Sequence, residues 1–147
     1  MPRVGGVARW RAAALGAAAA VAAPTVLSGA RLDALLRDAP RTRRVSAERD
    51  EVAFALAVSS RLLRILDRRF RWLRFDRRPW RDSCLYRSVA QCLVLRWYGR
   101  AARVALGAGR LDRDAVGAHA WVEYDGPEPV ERPAPDFVTF RPSVGRR

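Results

Sequence analysis

The sequence predicts an α+β fold, with helices first and a small antiparallel sheet after them, and three observations carry the prediction. Val52, Leu56, Leu62, Leu63, Leu66 and Phe70 recur at helical spacing. A second run, about Cys84 to Tyr98, has a capping residue in front of it and Gly99 behind it. Ala118 to Tyr124 then alternates in the manner of a strand and ends on Asp125-Gly126, a turn signal.

Taken in order, the chain opens with an Ala-rich apolar stretch, Arg11 to Leu27, preceded by Arg3 and Arg9. Charge followed by an apolar run resembles an export signal. The run is short for a membrane span and Pro24 interrupts it, so a packing helix is the favoured reading and membrane contact the less favoured one. Arg37 to Arg44 is polar, contains Pro40 and reads as a connector. An amphipathic helix is expected over Ser46 to Phe70, with Arg68 and Arg69 complementing the negative end of its dipole.

Asp82 or Ser83 can cap the helix that starts at Cys84. Leu85, Val89, Cys92, Leu93 and Arg96 give that helix one mostly apolar face. Arg103 to Leu106 reads as a short strand, and Arg110 to Ala115 as a turn. In the strand Ala118 to Tyr124, His119, Trp121 and Glu123 share one side, while Ala120, Val122 and Tyr124 share the other. A return strand is expected near Pro129 to Arg132, limited by its prolines to an edge or a short length. The chain divides into a helical region, 1–75, and a core, 76–147.

Composition bounds the partners. The net charge is +13, and all 28 basic residues are arginine. An Arg- and Ala-rich chain without lysine first suggests a GC-biased genome. The functional alternative is a surface that attracts acidic partners. No recognisable nucleic-acid module interleaves aromatics and glycines with the arginines, so nucleic acid is not the expected partner.

Cys84 and Cys92 are eight residues apart on one helix, roughly 12 Å of rise, where a disulfide needs Cα atoms within about 7 Å. Two unbridged thiols fit a reducing compartment, hence the cytoplasm. One histidine and two cysteines without C-x-x-C spacing argue against a structural metal, and no cofactor is expected.

Cys84 falls in the first turn of its helix, where unpaired backbone N–H groups and the positive dipole end favour a thiolate and so a nucleophile. Cys92, two turns on, reads as an ordinary buried cysteine. His119 is the only histidine and could take the thiol proton, given contact at roughly 3 Å and a third group to orient the ring. The bland alternative makes both Cys84 and His119 core residues.

The run Cys84-Leu85-Tyr86-Arg87-Ser88, then Gly99, then Val104 to Gly107, then Ala118-His119-Ala120-Trp121-Val122-Glu123-Tyr124-Asp125-Gly126, resembles the leader peptidases of lasso-peptide biosynthesis. These are the protease half of the B protein, within the transglutaminase-like superfamily of papain-related folds. The similarity covers about Trp80 to Glu131, a third of the chain. It implies a papain/transglutaminase-like core, cleavage of a leader from a ribosomally made precursor, a small leader-binding partner protein, and a separate ATP-dependent cyclase acting on the product.

The resemblance maps nucleophile and base onto Cys84 and His119. It puts Glu131 where the family has an Asp, twelve positions beyond the His. A two-residue turn at Asp125-Gly126 would pair Ala120 with Glu131 and send the acid to the wrong face, so the triad needs a bulge or an odd-length loop there. Asp136 is the reserve acid. Asp125 is poor, since six strand residues set it roughly 20 Å from His119. Trp121 and Trp80 are candidate walls of the cleft, and equally candidate core aromatics. The backbone N–H of Cys84 would serve an oxyanion hole. Two other readings compete: an acyl transferase on the same fold, and a non-catalytic basic adaptor for acidic peptides.

Overall fold

The computed structural model describes residues 6–28, 31–37, 49–72, 81–112, 115–126, 130 and 137–140. Among these, four helices precede three strands: α1 (Gly6–Leu27), α2 (Arg31–Leu36), α3 (Arg49–Arg69), α4 (Cys84–Trp97), β1 (Ala102–Asp112), β2 (Ala115–Tyr124) and β3 (Phe137–Phe140). The strands form one antiparallel sheet in the order β2-β1-β3. The α+β class stands.

The apolar N-terminal stretch is a helix of 22 residues, long and apolar enough to cross a membrane. Its inner face is nevertheless packed. Ala12, Gly16, Ala19, Ala20 and Ala23 are buried against α3 and α4. The small side chains let backbones approach closely, and a Cβ placed on Gly16 would come 2.4 Å from the Ala55 carbonyl oxygen of α3. Pro24 sits one turn from the helix end, where the ladder still closes through Ser28 N–H donating to the Pro24 carbonyl at 2.9 Å.

α3 starts with Asp50 and Glu51 and ends with Arg68 and Arg69, acids and bases each at the dipole end that favours them. Glu51 is buried, and it does more than begin a helix. Arg11 of α1 donates to both of its oxygens at 2.8 Å, and the buried Tyr98 hydroxyl at the end of α4 donates at 3.0 Å. Three helices are tied at one carboxylate. Arg96 performs a similar task below, donating to the carbonyls of Ala102 (2.8 Å), Ala34 (2.9 Å) and Arg37 (2.9 Å), so one guanidinium joins α4, β1 and the C-terminal end of α2.

One continuous apolar cluster runs from Ala12 in α1 through Ala55 and Leu63 in α3 and Val89 to Leu95 in α4 to Val104 and Val122 in the sheet. The core therefore crosses from the helical region 1–75 into the region 76–147.

The strands differ from the sequence expectation in three ways. β1 does not stop at Leu106 but continues through Gly107 and Gly109 to Asp112, and β2 begins at Ala115, so the expected turn over Arg110 to Ala115 is largely strand. The third described strand is Phe137–Phe140, and it pairs with β1 rather than with β2. Asp125 and Gly126 form a bend, not a two-residue hairpin turn, and the described Val130 is likewise in a bend rather than a return strand.

Candidate active site

Cys84 is the first residue of α4 and is half-buried. Ser83 is the N-cap, in extended conformation (φ −111°, ψ 160°), and its Oγ accepts from the Tyr86 N–H at 3.4 Å. The other candidate cap, Asp82, instead lies 3.4 Å from Arg87 Nε. Capping by a side chain satisfies one N–H of the first turn and leaves the N–H of Cys84 itself outside the helical ladder. At the other end, Tyr98 N–H donates to the Val94 carbonyl at 3.1 Å, and Gly99 at φ 72° adopts the left-handed conformation that stops the helix.

Cys92 behaves as expected of a structural thiol. It is fully buried, and desolvation pushes its pKa up to about 11, against the smaller opposing influence of Arg96. Cys84 is thus the accessible thiol of the pair.

His119 lies on β2 opposite Gly107 of β1, which in turn pairs with Thr139 of β3. Its ring stacks on Trp121, with centroids 6.1 Å apart and planes at 20°. Trp121 is 3% exposed and lies across Gly107, so close that a Cβ there would be 2.7 Å from its Cη2 atom. Glu123 follows on the same side and pairs with Arg103 across the ladder through Arg103 Nε at 2.8 Å. This is the face expected for His119, Trp121 and Glu123. The opposite face, with Val104 and Val122, packs into the helical core.

Two relations place Cys84 and His119 relative to each other. The chain turns tightly from α4 into β1 at Tyr98 to Ala101, and Asp125 N–H closes the same end by donating to the Ala101 carbonyl at 3.1 Å. From that closed end, Cys84 lies at the far end of α4, and His119 lies five ladder pairs along β1 and β2. α4 packs on both strands. Both residues therefore sit away from the turn, toward the same end of the α4–sheet layer. In the lateral direction, His119 leaves β2 on the face turned away from the helical core, and β2 is the edge strand of the described sheet.

Glu131, Asp136 and Trp80 lie outside the described residues. Trp121 lies beside the imidazole and is buried, but on the sheet face turned away from the helical core, so it does not fill the space between sheet and helices. The sequence pattern assigned no role to Gly107, whose missing side chain admits the indole, or to the buried polar residues Ser88 and Gln91. These two follow Cys84 by one and two turns on the same side of α4, and Ser88 Oγ and Gln91 Oε1 have no hydrogen-bond partner among the described residues. Helical spacing from Cys84 was the signal that could have found them. No cluster of three or more His, Cys, Asp or Glu that could hold a metal occurs among the described residues.

The family model described as the transglutaminase-like superfamily matches residues 7–144. No curated protein and no solved structure matches the chain. The matched span takes in α1 and the three strands alike, with Cys84 and His119 inside it, and the chain belongs to the transglutaminase-like superfamily.

Proposed function

We propose that the protein is a cysteine peptidase that removes the leader from a ribosomally made lasso-peptide precursor, with Cys84 as nucleophile and His119 as base. The observation that carries this reading is the placement of Cys84 as the accessible first residue of a Ser83-capped helix, within a transglutaminase-like chain. The Ala118–Gly126 block and its resemblance to leader peptidases supply the finer assignment.

In this mechanism His119 takes the proton of the Cys84 thiol, and the thiolate adds to the carbonyl carbon at the leader–core junction. The oxyanion that forms is met by the backbone N–H of Cys84, which the helix leaves unpaired. Collapse expels the core amine, which receives the proton from His119, and leaves the leader as a thioester on Cys84. Water, deprotonated by His119, then releases the leader acid and restores the thiol. Glu131, or Asp136 in reserve, orients the imidazole. Because His119 projects from the outer face of β2, an edge strand among the described residues, this reading requires the thiol to meet the imidazole past that strand.

Partners follow from the same reading: the precursor, a small leader-binding protein, and the ATP-dependent cyclase that consumes the freed amine, all cytoplasmic. The test is mass analysis of a precursor incubated with wild type and with Cys84→Ala. Two hydrolytic fragments from the wild type and intact precursor from the variant are expected. Cleavage by the variant at the wild-type rate rejects the scheme, and a product joined to an added amine assigns an acyl transferase instead.

A further inference from the structure

At the closed end of the α4–sheet layer, away from Cys84, a cavity of about 430 Å³ opens between the start of α3, the end of α4 and the end of β2. Its size falls within the roughly 300–1,000 Å³ of small-ligand sites. The walls are aliphatic and aromatic: Val52, Leu56, Leu95, Tyr124 and Val130. Among the described residues its charged lining is Arg49, Arg100 and one acid, Asp50, and the positive dipole end of the 21-residue α3 faces it as well. The Arg100 side chain makes no hydrogen bond or ion pair among the described residues. An apolar trough with the Arg100 guanidinium at its rim suits a segment that combines aliphatic side chains with a carboxylate.

We infer that this cavity is a second subsite for the peptide substrate, holding an acidic–aliphatic stretch well removed from the bond that is cut. Two elements measure the separation. Leu95 follows Cys84 by eleven helical residues, roughly 16 Å of rise, and Tyr124 follows His119 by five strand residues, also roughly 16 Å. An extended peptide covers that distance in about five residues. The recognition stretch therefore begins about five residues or more from the scissile bond. The role in cleavage rests on the peptidase reading, whereas binding to the cavity does not.

The experiment is therefore a binding measurement. Fluorescence anisotropy of a labelled peptide, Glu-Leu-Glu-Leu-Tyr, is compared with its Lys-Leu-Lys-Leu-Tyr counterpart on the full chain and on Arg100→Glu, Arg100→Gln, Leu56→Asp and Cys84→Ala. The acidic probe is expected to bind at least tenfold more tightly than the basic one. Arg100→Glu and Leu56→Asp should weaken it fivefold or more, Arg100→Gln less, and Cys84→Ala not at all. Thermal unfolding confirms which variants are folded, and Arg100→Gln, an uncharged change at the rim, serves if Leu56→Asp is not. Arg64→Glu, an exposed charge reversal farther along α3, controls for the overall charge. Equal binding of the two probes, unchanged binding by Arg100→Glu, or an equal loss with Arg64→Glu would overturn the inference. Loss of cleavage in Cys84→Ala with binding intact leaves the two readings separately judged.

Discussion

Trp121 lies over Gly107, and the imidazole of His119 stacks on the same indole. A Cβ at position 107 would come 2.7 Å from the ring and 2.7 Å from the Val138 carbonyl oxygen, so both contacts must be relieved by a shift of the indole or of the strands. Gly107→Ala is expected to cost about 1–3 kcal/mol, the usual range for overpacking. It should also lower cleavage more than stability alone explains, because the ring that supports His119 moves. Denaturant unfolding and cleavage rate on the same variant check this; a neutral Gly107→Ala in both would mean the indole has another resting place.

The carboxylate of Glu51 is the junction of α1, α3 and α4. Glu51→Ala leaves the buried Tyr98 hydroxyl without its acceptor, an expected loss of about 1–3 kcal/mol, while Tyr98→Phe should cost only about 0.5–1.5 kcal/mol. Urea midpoints separate the two. Equal small losses would show that Arg11 and Glu51 rearrange freely.

Arg96 reaches three carbonyls with one planar fork, which an ammonium on a flexible stem does not reproduce. Arg96→Lys should therefore destabilise by about 1–3 kcal/mol and loosen α2 first. Amide exchange resolved by segment reads this, with protection lost at 31–37 before α4.

The titrating groups of the core give the pH dependence a definite sign. Burial raises Cys92 from 9.0 to about 11. Burial, then Glu51, raises Tyr98 from 10.0 to about 12. The folded chain thus holds protons that the unfolded chain has released, so stability is complete below pH 9 and falls as pH rises through that window. Glu51 acts on the acid side. Arg11 lowers its pKa from 4.5 despite burial, so its contribution is present above that value and is lost as pH falls. Urea midpoints between pH 3 and 12 should describe a plateau with both shoulders, and Cys92→Ala should flatten the lower part of the basic one. A midpoint that rises between pH 9 and 11 would contradict the assignment.

Much of the helical layer was legible because local signals there agree with the packing. The spacing from Val52 to Phe70 gave α3 to within three residues at its start, and Ser83 and Gly99 bracketed α4 because cap and stop are written in single residues. The sheet was harder. The strand was expected to end at Leu106, yet β1 runs on through Gly107, where the missing side chain admits the indole, and Gly109. β3 joins β1 from a distance in sequence, and no local periodicity announces such a pairing. Nor could composition reveal Glu51, whose burial is set by Arg11, forty residues away. Of the candidate site, Cys84 and His119 stood out in the sequence as residue types in context, while the two candidate acids, Glu131 and Asp136, lie outside the described part of the chain.

The pairing of Cys84 with His119 is tested most directly by the rate at which iodoacetamide alkylates Cys84 at pH 7, in the wild type and in His119→Ala, followed by peptide mass analysis. Wild-type Cys84 should react far faster than the buried Cys92, and removing the imidazole should slow Cys84 at least tenfold. Identical Cys84 rates in the two proteins would contradict the account.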